Sequence, residues 1–323
     1  MPKTIILGAG LAGLSAAREL RSKGEQVELV DKGRGVGGRL ATRRIGQARL
    51  DHGAQFFTTR GGVFTDLIAE AVEAGVVAEW CRGFGEQDGY PRYRGDQGMT
   101  SLAKWMASDL DLRLGLEVDR IETSDGVVRF LGHDGGTIAQ GDTAIVTAPI
   151  PQMLGLFDRG NVRVGDSLDA QLRASNYFAT LALLAVVDGE PAIDEPGGMQ
   201  LESGPFTFIA DNLRKGISPV RALTFHAEHD YSLRRFDDDP EHVHAELVEF
   251  ASPWIGNATV VESQLKKWRY AGPVKPLPEP TYLVESNGAP ILLAGDAFAG
   301  PKVEGAFMSG YAAARRILAG DAP

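Results

Sequence analysis

The chain has 323 residues, of which 43% are hydrophobic, and its formal net charge is -10. This length and apolar content allow one large hydrophobic core or two moderate ones. The acidic balance leaves no basic stripe to neutralise phosphates, which argues against a nucleic-acid partner, and the single cysteine, Cys81, excludes a disulfide framework and a dithiol redox pair.

The sequence also gives an expectation of where the protein works. No apolar run reaches the roughly 18 residues that a membrane span needs. Met1 leads directly into an apolar strand rather than into a signal peptide. We therefore predict a soluble, cytoplasmic protein without a membrane span. The sequence leaves the oligomeric state open.

The first predicted elements are a strand, a glycine-rich turn and a helix. Residues 3–7, KTIIL, form a short apolar run typical of a buried parallel strand. The turn GAGLAG, residues 8–13, follows at once, and helical spacing of apolar residues continues up to Gly24, a typical helix end. A second predicted strand, QVELV, ends at Asp31. This order is that of the βαβ unit that binds dinucleotides.

Each position of the turn has a physical task in binding a pyrophosphate. Gly8 permits the tight turn, Gly10 allows the backbone to approach the phosphates, and Gly13 allows the helix to pack on the strand. The first helical residues, Leu11 and Ala12, present free N–H groups to the anion. The alternative is a glycine-rich turn without a ligand.

The loop after the second strand favours FAD over NAD. Asp31 lies 23 positions after the first glycine of the turn, near the usual spacing for a carboxylate that accepts from ribose hydroxyls. The loop KGRGVGGR follows, and its arginine Arg39 can form charge-assisted bonds to phosphate. Simple NAD dehydrogenases do not need this loop, although a flexible basic loop is the alternative. The candidate cofactor-binding residues of the loop are Lys32, Arg34, Gly38 and Arg39.

The middle of the chain changes from βαβ units to antiparallel strands. The segments NYFATLALLAVVDG, PFTFIADNL and PVRALTFHAE are predicted strands, and DDDPEHVHAELVEFASPWI is a predicted helix with proline at its first position. Residues 101–149 contain predicted hairpins with turns at Asp125-Gly126 and Asp134-Gly135.

These patterns predict an α/β protein with a discontinuous cofactor domain. Residues 1–57, 98–151 and 286–323 form the predicted FAD-binding, Rossmann-like domain. Residues 58–97 and 152–285 form a predicted substrate domain, which is a mostly antiparallel sheet with helices.

Several motifs resemble known families. The paired N-terminal glycine motifs resemble the FAD-binding region of the flavin amine-oxidase superfamily. LDHGAQFFTTR resembles a segment of the renalases, and GDQGMTSLAKWM, AIVTAPIPQMLGL, LTFHAEHD and LKKWRYAGP resemble further renalase segments in the same order. LAGDAFAGPKVEGAFMSGYAAARRI resembles the C-terminal flavin motif. The resemblance spans nearly the whole chain, with departures at His52, Phe56 and Phe57.

The resemblance implies that both ends of the chain hold one non-covalent FAD. The predicted strand PILLAG would rejoin the N-terminal sheet, and Asp296 at its end would bond a ribitol hydroxyl. The helix that begins near Glu304 would direct its N-terminus at the flavin ring. An ordinary strand, turn and helix is the alternative. The other candidate cofactor residues are Gly53, Ala54, Gln55, Val118, Gly295, Val303, Gly305 and Ala306.

The resemblance also implies a reaction. Renalases oxidise the 2- and 6-dihydro isomers of NAD(P) to NAD(P)+, so the implied partners are a small dihydronicotinamide nucleotide and O2. Hydride would pass to flavin N5, and O2 would reoxidise the flavin and leave as hydrogen peroxide. Because this substrate is already a hydride donor, no general base is required. An amine oxidase, a carotenoid-type desaturase and a flavin-binding protein without turnover remain alternatives.

The candidate catalytic residues are His226, Trp268, Tyr270 and Gln55. The resemblance implies that Trp268 and Tyr270, which occupy alternate positions, form an aromatic wall of the substrate site; ordinary core positions are the alternative. His226 and His229 lack helical spacing and a third ligand in sequence, so no metal site is predicted.

Overall fold

A computed structural model describes residues 3–85, 89–298 and 300–320. The strands are Lys3–Leu7 (β1), Gln26–Asp31 (β2), Thr42–Ile45 (β3), Ala48–Asp51 (β4), Val77–Cys81 (β5), Arg92–Gly95 (β6), Leu112–Leu114 (β7), Arg120–Ser124 (β8), Val127–Leu131 (β9), Thr137–Gly141 (β10), Thr143–Val146 (β11), Tyr177–Asp188 (β12), Gly198–Gln200 (β13), Phe206–Asp211 (β14), Ala222–Ala227 (β15), Thr259–Pro273 (β16), Tyr282–Ser286 (β17) and Ala289–Leu293 (β18). The helices are Leu11–Ser22 (α1), Gly62–Glu73 (α2), Thr100–Met106 (α3), Ile150–Arg159 (α4), Asp166–Arg173 (α5), His229–Arg235 (α6), Pro240–Ile255 (α7) and Lys302–Leu318 (α8).

The chain divides into two compact units, each assembled from separated segments. The first unit comprises the described residues of Met1–Gly38, Ala103–Asn176 and Pro273–Pro323. The second unit comprises those of Arg39–Leu102 and Tyr177–Gly272.

The first unit is built on a six-stranded sheet in the order β17-β18-β11-β1-β2-β7. β1 pairs in parallel with β2 and β11, and β11 pairs in parallel with β18. Every residue of β11 and β18 is buried, as expected of parallel strands covered on both faces. The prediction that the C-terminal strand rejoins the N-terminal sheet is confirmed.

Close packing of α1 and α8 brings the two ends of the chain together within this unit. A Cβ atom on Gly310 of α8 would overlap the backbone of Ala12 in α1, so the absence of a side chain allows the helix backbones to touch. α1 follows the carboxyl end of β1, and α8 follows the loop after β18. The two sequence motifs therefore lie at the same edge of one parallel sheet, where doubly wound folds bind ligands.

The second unit is built on a five-stranded sheet in the order β13-β14-β15-β12-β16. The pairs β13–β14, β14–β15 and β15–β12 are antiparallel. Leu183 and Phe225 of this sheet pack with Leu247 of α7 in one hydrophobic core. α7 begins at Pro240, and Asp239 Oδ2 accepts a capping hydrogen bond from the third helical N–H. The predicted α/β class with a second, mostly antiparallel unit is confirmed.

The boundaries of the two units differ from the predicted ones. Residues 39–57 lie in the second unit, where the backbone oxygen of Asp51 accepts from Thr224 Oγ1 of β15 at 3.0 Å. Residues 152–176 lie in the first unit, because α4 packs against β8 and α5 packs against α4. Residues 273–285 join them there, because β17 pairs with β18.

Candidate functional site

The turn after β1 is shaped by packing at two of its three glycines. Gly8 has a φ angle of 109°, which residues with a side chain rarely adopt. A Cβ atom on Gly13 would overlap the Gly8 carbonyl oxygen. At Gly10, by contrast, no atom of the described residues lies within 4 Å of the position of a Cβ atom. Packing does not explain glycine at position 10, and the space there is open to a ligand.

The N-terminus of α1 is suited to an anion. Its N-cap residue is Gly10, and no side chain of the described residues caps it. Leu11 and Ala12 bury their side chains, so they can offer a ligand only their backbone groups. The N–H groups of a first helical turn have no partner inside the helix, and the helix dipole is positive at this end. A pyrophosphate accepts hydrogen bonds from these N–H groups, and its negative charge is attracted by the positive end of the dipole.

Asp31 connects the turn to the loop that follows β2. Its Oδ2 accepts from Ala9 N at 2.6 Å, and its Oδ1 accepts from Gly33 N at 2.6 Å. The carboxylate therefore fixes both loops, a task that sequence reasoning did not assign to it. Each carboxylate oxygen has capacity for a second donor, so the geometry is compatible with the predicted ribose contact.

The other candidate residues of this loop and its neighbour differ in exposure. Lys32 and Arg34 are exposed, and Lys32 Nζ lies 3.9 Å from Glu117 Oε1, a pair too solvated to contribute much stability. Gly38 ends the loop with a φ angle of 53°. Val118 is buried in the segment after β7.

The turn after β18 is held by a residue that sequence reasoning missed. Ser309 Oγ of α8 accepts from Gly295 N at 2.9 Å and donates to Pro280 O at 2.6 Å. Asp296 follows this fixed turn and is buried, with 7% of its surface exposed. A serine inside a helix gives no sequence signal for this role, because its partners are distant in the chain.

α8 begins at Lys302, two residues before the predicted start at Glu304, and its N-cap residue, Pro301, makes no side-chain capping hydrogen bond. A Cβ atom on Gly305 would overlap the carbonyl group of Gly300, so packing also requires this glycine. The candidate residues here range from the buried Val303 to the half-buried Glu304, Gly305 and Ala306.

These features of the first unit fit FAD. The open position at Gly10 and the uncapped end of α1 suit a pyrophosphate, and Asp31 lies beside them at the ribose position of the motif. The N-terminus of α8 adds a second positive dipole end in the same unit.

In the second unit, the structure brings the predicted residues Gln55 and His226 together. Gln55 Nε2 lies 3.3 Å from His226 Nε2, and it donates to Asp51 O at 2.7 Å and to Gly53 O at 3.2 Å. These carbonyl acceptors fix which end of the Gln55 amide faces His226. Gln55 is buried between β4 and the imidazole of β15.

Burial keeps the imidazoles of this cluster neutral. Burial first, and then the positive charge of Lys215, lower the pKa of His226 from 6.5 to about 4. Burial and the charge of Lys266 lower the pKa of His52 to about 4 as well, against the opposing effect of Asp51. Within the described residues, no group of three or more His, Cys, Asp or Glu side chains could hold a metal ion.

A fully buried ion pair, which sequence reasoning missed, supports Gln55. Lys215 Nζ donates to Asp51 Oδ2 at 2.7 Å, and both side chains are fully buried. Lys215 Nζ also lies 3.5 Å from Gln55 Oε1. Asp51 Oδ1 accepts from Met99 N at 2.8 Å and from Thr42 Oγ1 at 2.6 Å, so the carboxylate accepts from three donors in all. Burial lowers the pKa of Lys215, and Asp51 opposes this effect.

Trp268 and Tyr270 are each fixed by one of the other candidate segments. Trp268 Nε1 donates to His52 O at 2.7 Å, and the two rings stack with centroids 5.3 Å apart. The carbonyl oxygen of Tyr270 accepts from Arg39 Nη1 at 3.2 Å. The Arg39 carbonyl oxygen in turn accepts from Ala54 N at 2.8 Å.

Gly53 belongs to the same arrangement. A Cβ atom on Gly53 would overlap the Arg39 carbonyl group, so glycine is required for this approach. The candidate residues Arg39, Gly53, Ala54 and Tyr270 are thus in one network of contacts. Their predicted roles toward a ligand remain predictions.

An aromatic cluster that sequence reasoning missed borders His226. Phe208 of β14 lies 6.5 Å from His226 between ring centroids, and Phe56 lies 5.8 Å from Phe208. Trp80 and Phe84 complete the cluster, 5.0 Å from each other. Because these residues come from separate segments, the sequence shows them only as scattered aromatics.

Together these features define a flavin-dependent oxidoreductase. Residues 6–71 match the family model of the NAD(P)-binding Rossmann-like domain, and residues 76–318 match that of the flavin containing amine oxidoreductases. The second match covers most of the chain, so the protein belongs to the flavin-containing amine oxidoreductase family. A flavin is the cofactor that this family implies.

The sequence matches to individual curated proteins cover only a short part of this chain and of each relative. The chain is 45% identical over 58 residues to a 1-hydroxycarotenoid 3,4-desaturase of Flavobacterium sp. (strain P99-3), which is 18% of this chain and 12% of the desaturase. It is 42% identical over 73 residues to a protein of Mycobacterium tuberculosis (strain ATCC 25618 / H37Rv) named as a flavin-containing monoamine oxidase, which is 22% of this chain and 15% of that protein.

The fold is shared with solved structures over nearly the whole chain. A putrescine oxidase structure is similar with a TM-score of 0.69 and 15% identity, over 98% of this chain and 99% of the other. A protein of Exiguobacterium sp. 255-15 assigned as a protoporphyrinogen oxidase is similar with a TM-score of 0.74 and 13% identity, over 98% of both chains. At these identities the similarity shows the fold alone.

Proposed function

We propose that the protein is an oxidase with non-covalent FAD that acts on the 2- and 6-dihydro isomers of NAD(P), giving NAD(P)+ and hydrogen peroxide. The renalase-like motifs support this substrate class, because they run through the chain in order from LDHGAQFFTTR to LKKWRYAGP. The family membership supports the coarser statement, a flavin-dependent oxidoreductase.

The observation that carries the proposal is the charge of the cluster around Gln55. Its carboxylate, Asp51, is buried and neutralised by Lys215. Its two imidazoles, His52 and His226, have pKa values of about 4 and are neutral at physiological pH. An alkylammonium substrate would therefore find no available carboxylate in this cluster to compensate its charge, whereas an uncharged dihydronicotinamide ring needs none.

The residues of the chain have distinct tasks in this proposal. Gly10 and the first turn of α1 hold the pyrophosphate, Asp31 accepts from the ribose, and Asp296 accepts from the ribitol. Bound FAD supplies the hydride acceptor, and O2 is the final electron acceptor. Trp268 orients the dihydronicotinamide ring by stacking. Gln55 and the neutral His226 offer hydrogen-bonding groups to its carboxamide.

A second candidate function is the oxidation of an amine or the desaturation of a carotenoid. The short matches to the monoamine oxidase and to the carotenoid desaturase favour it. A desaturase needs an apolar tunnel, and an amine oxidase needs a site that accepts a cation or its neutral amine. The pairing of Asp51 with Lys215 leaves no carboxylate for an amine cation, and the polar groups around Gln55 do not suit an apolar tunnel.

Anaerobic mixing separates these candidates. The purified yellow protein is mixed with the 6-dihydro isomer of NAD, with ordinary NADH and with a primary amine, and the visible flavin absorbance is followed. We expect rapid bleaching with the dihydro isomer and slow or no bleaching with the other two. Bleaching by the amine, with none by the dihydro isomer, would establish the second candidate.

Across the described residues, no helix combines the length and the apolar composition that a membrane crossing needs. The cytoplasmic location expected from the sequence remains a prediction.

A further inference from the structure

We propose that Arg43 and Lys266 form a binding site for the phosphate group of a nucleotide whose flat ring stacks at Trp268. The proposal rests on the proposed function for the identity of that ring, a nicotinamide. The recognition of phosphate by these two side chains can be measured without the oxidase reaction.

The strand β16 places the parts of this site in one row. Side chains of a strand alternate between its two faces, so Gln264, Lys266 and Trp268 share a face. Arg43 of β3 reaches this row, since its Nε donates to Gln264 Oε1 at 3.2 Å. His52 reaches it from the other side, through its stacking on Trp268 and the bond from Trp268 Nε1 to its carbonyl oxygen.

The charges of the row are unbalanced. Burial and the nearby charge of Arg43 lower the pKa of Lys266, and both cations lower the pKa of His52. Among the residues that the structure describes, neither Arg43 nor Lys266 forms an ion pair with a carboxylate. Glu262, at the end of the row, accepts from Gln264 Nε2 at 3.3 Å. Two neighbouring cations that form no ion pair with an acid are unusual in a chain whose net charge is -10, and a bound anion would relieve their repulsion.

His52 adds a third feature that points to a ligand. Its Nδ1 is buried and has no hydrogen-bond partner among the described residues. A buried polar atom without a partner costs stability, and such atoms are rare in folded proteins. The Nδ1–H tautomer of the neutral ring would donate to an oxygen of a ligand held beside Trp268.

The chemistry of the row selects a phosphate joined to a flat ring. The guanidinium of Arg43 can form two parallel bonds to phosphate oxygens, and Lys266 adds a point charge. The Trp268 ring provides a surface for an aromatic or dihydropyridine ring. An amine substrate would be repelled by the same two cations.

Calorimetric titration of the FAD-loaded protein tests this site without turnover. The probes are oxidised nicotinamide mononucleotide, which carries one phosphate, nicotinamide riboside, which lacks it, and inorganic phosphate. We expect the mononucleotide to bind at least about tenfold more tightly than the riboside at low salt. Added salt should reduce this ratio, because the contacts are ionic and partly exposed.

Variants identify the two cations. Arg43→Gln and Lys266→Gln should each lower the mononucleotide affinity by about tenfold, and neither should lower the affinity for the riboside, whose oxidised ring is itself a cation. Arg44→Gln removes the same charge one residue along β3, on the opposite face, and should change neither affinity. Inorganic phosphate should compete with the mononucleotide in the wild-type protein.

Equal affinities for mononucleotide and riboside, or no binding of either, would overturn the phosphate site. An equal loss in Arg44→Gln would also overturn it, because the effect would then be general charge. These measurements use oxidised ligands, so they can succeed when the dihydro isomers fail to bleach the flavin. That combination would refute the proposed oxidase reaction and leave the nucleotide site in place.

Discussion

His52 and Trp268 are joined twice, since the Trp268 indole donates to the His52 carbonyl oxygen at 2.7 Å and their rings stack 5.3 Å apart. The residues are 216 positions apart in the chain. The hydrogen bond fixes the plane of the indole, and the segment after β4 therefore determines how Trp268 faces a ligand. A stacking surface that is already oriented reduces the entropy lost when a substrate binds.

Replacement of Trp268 separates the ring from its hydrogen bond. Trp268→Ala should lower the rate or the affinity for the 6-dihydro isomer of NAD, since the stacking surface is lost. Trp268→Phe keeps a ring but loses the donor, so we expect an intermediate effect. The measurement is the reductive half-reaction by stopped flow. FAD content, determined from the visible spectrum, should not change in either variant. Unchanged kinetics in Trp268→Ala would exclude the stacking role.

The buried pair of Lys215 and Asp51 should dominate the stability of the second unit. Lys215→Met leaves a buried carboxylate without its counter-charge, which typically costs about 3–5 kcal/mol. The double variant Asp51→Asn with Lys215→Met should recover part of this loss, because an amide keeps its acceptor for Met99 N and carries no charge. Urea unfolding measures the free energies. Lys275→Met, at an exposed lysine, is the matched control.

The stability of Lys215→Met has a second possible outcome. A free energy of unfolding within about 1 kcal/mol of the wild-type value would show that the carboxylate is protonated or solvated in the variant. The pair would then serve to orient the Gln55 side chain and would not stabilise the fold.

Local signals explain why the first unit could be predicted. The strand, the three glycines, the helix and Asp31 lie within 31 residues, and each has a steric or electrostatic reason that acts over short distances. Parallel pairing of β1 with β2 is the arrangement expected when a helix such as α1 connects two strands of one sheet. The place of the C-terminal strand in this sheet was predicted from the resemblance of the last motif to the C-terminal flavin motif, because local spacing does not show which strand it pairs with.

The second unit was predicted less completely, because its determinants are distant in sequence. A lysine in a turn, such as Lys215, suggests a solvated residue until its partner, Asp51, is known to lie 164 positions away in contact with it. For the same reason, the structure places residues 39–57 in the second unit and not in the first. β3 and β4 follow the cofactor loop directly, yet the hydrogen bond of Thr224 to Asp51 O connects them to β15.

Alanine at two of the glycines should separate binding from folding. Gly10→Ala adds a methyl group to an open position with an ordinary φ of -76°, so the apoprotein should keep its stability within about 0.5 kcal/mol. FAD should bind at least about tenfold more weakly, because the methyl group occupies the approach of the pyrophosphate. Gly13→Ala forces an overlap with Gly8 and should destabilise the apoprotein by more than about 1 kcal/mol.

Thermal unfolding of the apoprotein and fluorescence titration with FAD give the two quantities. The comparison is decisive because the variants differ only in position. Full FAD affinity in Gly10→Ala would contradict the assignment of the open position to the cofactor.

Arg39→Ala tests the predicted phosphate contact of the cofactor loop. A bond to a charged group contributes about 1.5–3 kcal/mol, so the loss should weaken FAD roughly ten- to a hundredfold. The dissociation constant is measurable if FAD is non-covalent, and acid precipitation should then release all flavin into the supernatant. Arg44→Ala, at an exposed arginine of β3, is the control. An unchanged dissociation constant for Arg39→Ala would refute the contact, and colour in the precipitate would refute non-covalent binding.

We expect the lowered pKa of His226 to reduce the stability of the protein at acidic pH. Its pKa is about 4 in the folded protein and 6.5 ordinarily, so the unfolded chain binds more protons between these values. The stability that this neutral imidazole contributes is therefore complete above about pH 6.5 and is lost as the pH falls toward 4. Urea midpoints between pH 7 and pH 5 should decrease accordingly, and less so in His226→Asn.

The rate of flavin reduction by the 6-dihydro isomer of NAD should change little between about pH 6 and pH 9. The dihydropyridine has no proton to lose before hydride transfer, and His52 and His226 are already neutral because their pKa values are about 4. An alkylammonium substrate must lose a proton first, so its rate would rise steeply with pH. Stopped-flow reduction at saturating substrate gives the profile, and a tenfold rise per pH unit would contradict a donor that reacts without deprotonation.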